Sequence, residues 1–378
     1  MEYENLKLKD VILLEDKKRK PLSAMERNKR KGIYPYYGAQ EIIDSIDDYI
    51  FDGKYILLAE DGENLKSRKK DLVKIVEGKF WLNNHAHIFK TKENVDLEYL
   101  YYYLLRMDLS EYITGSTQPK LNQDNMNKIQ IKLPKLEIQK KISKILSDID
   151  KKIDLNNEIN NNLYELSINY LHEKSESNEV SVSKFAKIQG GYAFKSKDLI
   201  DTYTKNRIIK IKNLRSEINA DVINSQFVED EVVKKLDNKF KLRKGDVAIA
   251  MTGAELGKTG FIYGNDNYYL NQRVGVVRGN NIASELYLNV LFLSEEFQTL
   301  LNSKGYGSAQ PNVSTSDIEN ILINDMPENN LNEFYEKIKP IYEKIISNSE
   351  EILILENLRD TLLPKLMNGE IDLDSIEI

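Results

Sequence analysis

The 378-residue chain contains no cysteine, three histidines, one tryptophan and eight prolines. Without cysteine there is no disulfide, thiolate metal site or cysteine nucleophile, and the chain suits a reducing compartment without requiring one. No two prolines are adjacent. That removes the Asn/Asp-Pro-Pro-aromatic motif with which an adenine methyltransferase holds a flipped base. No Asp…Glu-x-Lys grouping of the nuclease kind is defensible either, so no catalytic residues are expected on this chain. Long apolar runs are also missing, none nearing the ~20 residues that span a bilayer. Met1 to Asn5 lacks the basic start and apolar core of a signal peptide. The expectation is a cytoplasmic protein without a membrane partner.

What is present begins with charge. The net charge of −6 argues against a simple basic DNA binder, because phosphate neutralisation rests on excess Lys and Arg. The acid is concentrated at one end, however. From Glu328 onward, twelve acidic and five basic side chains leave a balance of −7, so the residues before it carry +1. Basic clusters stand upstream at Lys17 to Lys20, Arg27 to Lys31, Lys66 to Lys70 and Lys205 to Arg215. Taken singly, each reads as a solvated face.

The most informative pattern is an internal repeat. Gly115-Ser116-Thr117-Gln118-Pro119-Lys120-Leu121-Asn122 is similar to Gly307-Ser308-Ala309-Gln310-Pro311-Asn312-Val313-Ser314, and the shift of 192 also relates Ile129 to Ile321 and Ile131 to Ile323. Nearly the same shift carries Gly53 onto Gly245, and Leu82 to His85 onto Leu270 to Arg273. Each copy reads as short β-branched strands punctuated by Gly, Asn and Asp, then a helix, the Gln-Pro loop, a short helix and one strand. Strands are expected at Tyr55 to Ala59, Leu72 to Val76 and Asn84 to Phe89, with a helix over Leu97 to Tyr112. In the second copy strands are expected at Asp246 to Met251, Gly260 to Tyr263 and Val274 to Arg278, with a helix near Leu286 to Asn302.

After each copy a stretch of about forty residues opens at Pro134 or Pro327. Ile142, Leu146, Ile149, Ile153, Asn156, Asn160 and Leu163 follow spacings of four and three, as do Ile345, Asn348, Ile352, Leu355, Leu362 and Leu366, the mark of a packing seam between helices. A helix of ~37 residues is ~55 Å long, too long to lie on one small domain. The two are expected to pair antiparallel. Asn156 and Asn348, related by the 192 shift, are expected to meet near the axis of the pair and fix its register; the competing reading is an Asn-rich solvated stretch. A kink or a helix start is expected at Pro340. The fold class is α+β, with two similar mixed α/β domains separated by a pair of long antiparallel coiled-coil-like helices in a pseudo-two-fold internal repeat. The boundaries run 1–134, 135–176, 177–327 and 328–378.

Several stretches then carry a resemblance. Ile33 to Gln40 followed by Asp47 to Gly53, Leu58 to Gly62, Asn83 to His87, Gln189 to Phe194 and the closing helix Leu358 to Glu370 together resemble the specificity subunits of Type I restriction-modification systems, over essentially the whole chain. The resemblance implies a non-catalytic subunit in which each target-recognition domain reads one half of an asymmetric double-stranded DNA site. It implies helices that act as a ruler and two docked modification subunits that carry S-adenosylmethionine. Restriction subunits carrying ATP and Mg are implied as further partners; no cofactor is expected on this chain. Inserting one turn within Ile142 to Leu163 is expected to change the spacer between half-sites. The alternative is a protein-binding scaffold with duplicated domains on a helical rod.

The residues expected at DNA follow from dissimilar, basic or aromatic segments. In the first domain they are Arg27, Lys29, Arg30, Tyr36, Tyr37, Arg68 and Lys69. In the second they are Lys195, Arg207, Lys210, Lys212 and Asn213. Gln118 and Gln310 either contact an adenine edge or cap the helix that follows. Asn83 and His85, with Asn271 and Arg273 at the matching positions, project polar groups suited to bases and phosphate. His85 and His87 lie two apart, which on a strand puts them on one face. Their repeat partners Arg273 and Gly275 exclude a shared metal role. Gly253 to Thr259 imitates a P-loop but has three residues between its glycines where four are needed; Lys258 and Thr259 face DNA phosphate or close a hairpin.

Overall fold

The computed structural model describes residues 3–39, 41–68, 70–115, 118–215, 218–304, 311–371 and 373. The chain divides into two compact units, one made of Met1–Lys151 with Asn357–Ile378 and the other of Lys152–Glu356. Strands are numbered in chain order, and helices of ten or more residues likewise.

In the first unit, β2 (Ile12–Leu14), β9 (Ala86–Thr91), β6 (Tyr55–Ala59) and β7 (Val73–Val76) form one antiparallel sheet in that order. β4 (Ile42–Ile46), β3 (Lys31–Tyr37), β8 (Lys79–Leu82) and β5 (Phe51–Asp52) form a second, in which β3 and β8 run parallel. β1 (Glu4–Lys7) pairs with β10 (Gln130–Leu133). The Tyr-Ile-Leu-Leu-Ala run of β6 is buried throughout, as expected of a strand covered on both faces.

The second unit repeats the plan. β11 (Glu176–Ser181) pairs with β20 (Leu322–Asp325). β12 (Ala186–Gly190), β19 (Val274–Gly279), β16 (Val247–Ala250) and β17 (Thr259–Phe261) form the first sheet. β13 (Leu199–Ile200), β15 (Gln226–Val228), β14 (Asn206–Ile209) and β18 (Asn267–Leu270) form the other, again with one parallel pair, β14 with β18, here at the sheet's edge.

α1 (Leu97–Arg106) stops short of the expected Tyr112, and the chain re-forms as a separate turn at Ser110–Tyr112. Asp108 starts that turn by accepting from the Ser110 backbone N–H at 3.0 Å. In the second copy the expected single helix is two, α3 (Ile282–Leu293) and α4 (Glu295–Lys304). Ser294 interrupts it, its Oγ accepting from the Phe297 N–H at 3.1 Å; a serine that offers the backbone this alternative favours a cap over a helix interior.

α2 (Leu136–Lys174) and α5 (Glu328–Met367) are the two long helices, and each gives part of its length to each unit. In the first unit Ile142 and Leu146 are buried in one cluster with Leu363 and Leu366. Leu362 and Ile149 are half-buried, Asp150 accepts from Arg359 at 2.9 Å and from Tyr102 at 2.5 Å, and burial followed by that carboxylate pushes the Tyr102 phenol up. In the second unit Ile153, Asn156, Ile345, Asn348 and Ile352 are buried, while Leu163 and Leu355 are half-buried. Pairs that ascend α2 descend α5: Asn156 with Glu351 at 2.9 Å, Asn160 with Asn348 at 2.9 Å, Lys174 with Glu333 at 2.6 Å. The helices are therefore antiparallel.

One expectation changes here and another narrows. Asn348 donates to Asn160, one turn beyond the expected Asn156, and Asn160 donates in turn to Ser349 at 3.2 Å. The polar layer is buried, but its partners are set by packing register and not by repeat arithmetic. Of the two outcomes expected at Pro340, the helix start is excluded, because Pro340 lies inside α5. Replacing Asn348 alone by leucine strands the Asn160 Oδ1 and is expected to cost about 1–3 kcal/mol in urea unfolding. Asn160→Leu with Asn348→Leu is expected to cost less than the single change, because no half-satisfied amide remains. Additive losses would contradict a coupled pair.

Candidate nucleic-acid interface

In each unit three connections converge where β6 or β16 ends and β9 or β19 begins. In the first, the Glu60 N–H donates to the His85 carbonyl at 2.9 Å, Leu121 N–H to Glu60 at 2.8 Å and Gly62 N–H to Pro119 at 3.2 Å. The second makes the same three bonds: Met251 to Arg273 at 2.9 Å, Val313 to Met251 at 2.9 Å and Gly253 to Pro311 at 2.8 Å. Backbone groups leaving a strand need partners, and the Gln-Pro loop supplies them in both copies. That accounts for the best-matched segment of the repeat. The helix after this loop is capped by Asn122 or Ser314, so the glutamine is not the cap. Gln118 is exposed; Gln310 lies outside the described residues.

The junctions share a backbone and differ in side chains. In the first, exposed His85 contacts Asp61 at 2.9 Å and Lys120 reaches Glu60 at 3.3 Å. In the second, exposed Arg273 donates to Asn312 at 3.0 Å, Lys258 pairs with Glu255 and Asn271 is half-buried. Arg68 and Arg273 are the non-glycine residues with left-handed backbone among those described, at φ 47° and 71°. That conformation costs on the order of 1 kcal/mol or more and gathers at functional sites. Arg68 is exposed and anchored through the Met107 carbonyl at 2.8 Å.

What lies beneath the junctions also differs. In the first unit His87 is buried, its Nε2 donating to the Leu121 carbonyl at 2.7 Å and its Nδ1 lying 2.6 Å from Asp16. Arg19 bridges Glu60 at 2.7 Å and Asp16 at 3.3 Å. Asp16, Glu60 and His87 bring one donor atom each within 4.8 Å of one another, a metal-like spacing in which the positive charge against both carboxylates is the Arg19 guanidinium. In the second unit the matching positions are Gly190, Met251 and Gly275. There the Met251 Sδ stands 3.0 Å from where a Gly275 Cβ would be and its Cε 3.9 Å from that of Gly190. A thioether fills one junction where a charge cluster fills the other.

Several expected contacts are corrected by burial. Tyr36, Tyr37, Asn83, Asn213 and Thr259 are buried. Tyr36 Oη accepts from the Leu22 N–H at 2.8 Å, Tyr37 packs edge-on to Phe80, and Asn83 accepts from the His85 N–H at 2.8 Å. Asn213 donates to the Asp221 carbonyl at 3.0 Å, and Thr259 accepts from Gln298 at 3.3 Å. His85 and His87 do not share a face, because His85 precedes β9 and only His87 lies in it. Arg27 bonds Asp44 and the Leu22 carbonyl, and Arg30 bonds Asp47 while lying over Trp81. Arg207 is tied to Asp266 at 2.6 Å and to three carbonyls. These three arginines hold loops together. Lys210 is half-buried against Gln226, and burial followed by Lys212 pulls its ammonium down. Lys29, Lys195 and Lys212 are exposed; Lys69 lies outside the described residues. Lys195 borders a groove with Tyr192 and Phe240 in which Lys195, Lys197 and Lys235 face Asp198, Glu229, Glu231 and Asp237, a mixed-charge surface with an aromatic floor.

Over residues 1–165 and 175–357 the chain matches the family model of the type I restriction modification DNA specificity domain. The chain belongs to that family. Among curated proteins it is similar to the type I restriction enzyme MjaVIII specificity subunit of Methanocaldococcus jannaschii, at 26% identity over 94% of this chain and 90% of the relative. The MjaIX specificity subunit of the same organism is 24% identical over 75% of this chain and 71% of the relative. A putative type I restriction enzyme specificity subunit of Haemophilus influenzae is 35% identical over 139 residues, 37% of this chain, and the match spans about a third of that relative's length, 35%. The crystal structure of the Type-I restriction-modification system S subunit from M. genitalium shares the fold, with a TM-score of 0.61 at 15% identity over 97% of this chain and 96% of that one. Among the described residues no helix is long and apolar enough to cross a membrane.

Proposed function

We propose that the chain is the non-catalytic DNA-reading subunit of a type I restriction-modification complex, each unit reading one half of an asymmetric split site on double-stranded DNA. The observation that carries this reading is the junction built twice on one backbone plan with unlike side chains. A shared backbone places a reader identically, and His85, Asp61 and Lys120 against Arg273, Asn312 and Lys258 present different donors and acceptors to base edges. Exposed lysines such as Lys29, Lys195 and Lys212 suit phosphate, where position matters and sequence does not. The paired helices set the spacer, and modification subunits dock on the assembly with S-adenosylmethionine. Restriction subunits add ATP-dependent, Mg-dependent cleavage, and the complex works in the cytoplasm.

Co-purification with a modification subunit, followed by methylation of random-sequence duplexes, tests the proposal. Methylation confined to one split sequence is expected; assembly without sequence preference would favour a scaffold. Arg273→Ala is expected to relax one half-site by about 1–3 kcal/mol per base contacted, leaving the other half-site unchanged. A uniform loss over all sequences would reassign Arg273 to phosphate.

A further inference from the structure

Each junction contains a three-residue turn, Asn83-Asn84-His85 between β8 and β9 and Asn271-Gln272-Arg273 between β18 and β19. The first residue of each serves the fold. The Asn83 N–H donates to the Tyr37 carbonyl at 3.1 Å and its Oδ1 accepts from the His85 N–H at 2.8 Å, while the Asn271 N–H donates to the Ile209 carbonyl at 3.1 Å. The third is engaged too, His85 with Asp61 and Arg273 with Asn312. The middle residue is a carboxamide in both turns, Asn84 and Gln272. Both are exposed, and among the described residues neither has a side-chain partner.

The backbone beneath these amides is fixed. The residue after each offers its carbonyl to the neighbouring strand end, His85 to the Glu60 N–H and Arg273 to the Met251 N–H, both at 2.9 Å. Gln272 is the second residue of a turn closed by the Val274 N–H on the Asn271 carbonyl at 3.1 Å, and its own N–H donates to the Tyr192 carbonyl at 2.8 Å. Arg273 takes the third position of that turn at φ 71°, a conformation usually left to glycine. Gly191 lets the Tyr192 segment close on the turn, since a Cβ there would lie 2.1 Å from the Asn271 carbonyl oxygen. The fold thus fixes the position of a side chain for which it has no internal use.

We infer that Asn84 and Gln272 are specificity-determining residues, each reading the major-groove edge of one adenine in its half-site. A carboxamide sets an N–H donor beside a carbonyl acceptor, and adenine presents the complementary pair there, N7 and the N6 amino group. Lysine and arginine carry donors alone, and a carboxylate acceptors alone. The adenine so read stays stacked in the duplex, and is therefore not the base flipped out for methylation. An amide common to both turns reads a base common to both half-sites, while the unlike His85 and Arg273 beside it read what differs. The inference rests on the proposed function for the DNA and on the two turns for the base.

The full chain in complex with its modification subunit tests this on random-sequence duplexes. In the split motif methylated by the wild type, Gln272→Glu is expected to change one adenine of one half-site to cytosine, whose N4 amino group a carboxylate accepts. Asn84→Asp is expected to do the same in the other half-site. Unchanged motifs, a uniform loss over all sequences, or both variants altering the same half-site would overturn the inference and leave split-site reading standing. A wild-type complex with no sequence preference would instead remove the proposed function, and this reading with it. Base chemistry then locates the contact. At the implicated position 7-deazaadenine, which lacks N7, is expected to weaken wild-type binding about tenfold and to leave binding by Gln272→Ala unaffected. No weakening in the wild type, or equal weakening in both proteins, would overturn the contact.

Discussion

Arg19→Ala is expected to lower the unfolding temperature of the first unit by roughly 10 °C. The guanidinium is the shared partner of Asp16 and Glu60 and also donates to the Ala86 carbonyl at 2.6 Å. Its loss leaves two carboxylates whose remaining cationic or imidazole neighbours, among the described residues, are His87 and the half-exposed Lys120. Breaking a buried ion pair from one side costs about 3–5 kcal/mol, and for a domain of this size each kcal/mol moves the midpoint by about 2–4 °C. The second unit suggests the rescue. Asp16→Gly, Arg19→Ala, Glu60→Met and His87→Gly together reproduce the residues at the matching positions, Gly190, Ala193, Met251 and Gly275, and should restore more than half of the lost stability. Calorimetry on the two variants decides the matter. An unshifted midpoint for Arg19→Ala would mean that the cluster stabilises nothing, and a quadruple variant no better than the single one would mean that the two junctions are not interchangeable.

A seven-residue insertion in both long helices, between Lys151 and Lys152 and between Glu356 and Asn357, is expected to lengthen the DNA spacer by about three base pairs. Seven residues add ~10 Å at ~1.5 Å per residue and keep the seam in phase, and a duplex rises ~3.4 Å per base pair. Both half-sites should survive unchanged. Insertion in α2 alone, which the sequence presented as sufficient, is expected to abolish methylation. The pairs Asn156–Glu351, Asn160–Asn348 and Lys174–Glu333 tie α2 to α5 after the insertion point and Asp150–Arg359 ties them before it, and a one-sided insertion would set the two groups against each other. Methylation motifs read from treated random duplexes would settle it; an unchanged spacer in the double insertion removes the ruler from the proposal.

Periodicity made the helix seam legible. Ile142, Leu146, Ile153, Ile345, Ile352 and Leu366 repeat at helical spacing and are buried, because such a pattern has few other uses. The central strands β6 and β16 were legible for a similar reason, being short, β-branched or apolar throughout and bounded by turn residues. Aromatics beside basic clusters misled. Tyr36 and Tyr37 look like stacking platforms in one dimension, yet strand pairing turns both into the interior, where Arg27 lies over the Tyr36 ring at 5.1 Å. The Arg19 cluster was illegible for another reason. Its members come from separate segments, with Asp16 and His87 71 residues apart, and no local rule says which of many charges will meet. The Asn160–Asn348 pairing, likewise, depends on a register that only two packed helices define.

The first unit takes its core from two segments that the second unit separates in sequence. Leu363, Leu366 and Leu373 are buried in one cluster with Leu8, Leu100, Ile142 and Leu146. During synthesis, the apolar surface of the residues before Lys151 must therefore wait for the residues after Asn357 before it can close. The second unit, whose residues are contiguous, can be finished earlier. The order of maturation is thus opposite to the order of translation, and the interval in between is when the unfinished half is exposed to aggregation or to capture by another nascent copy.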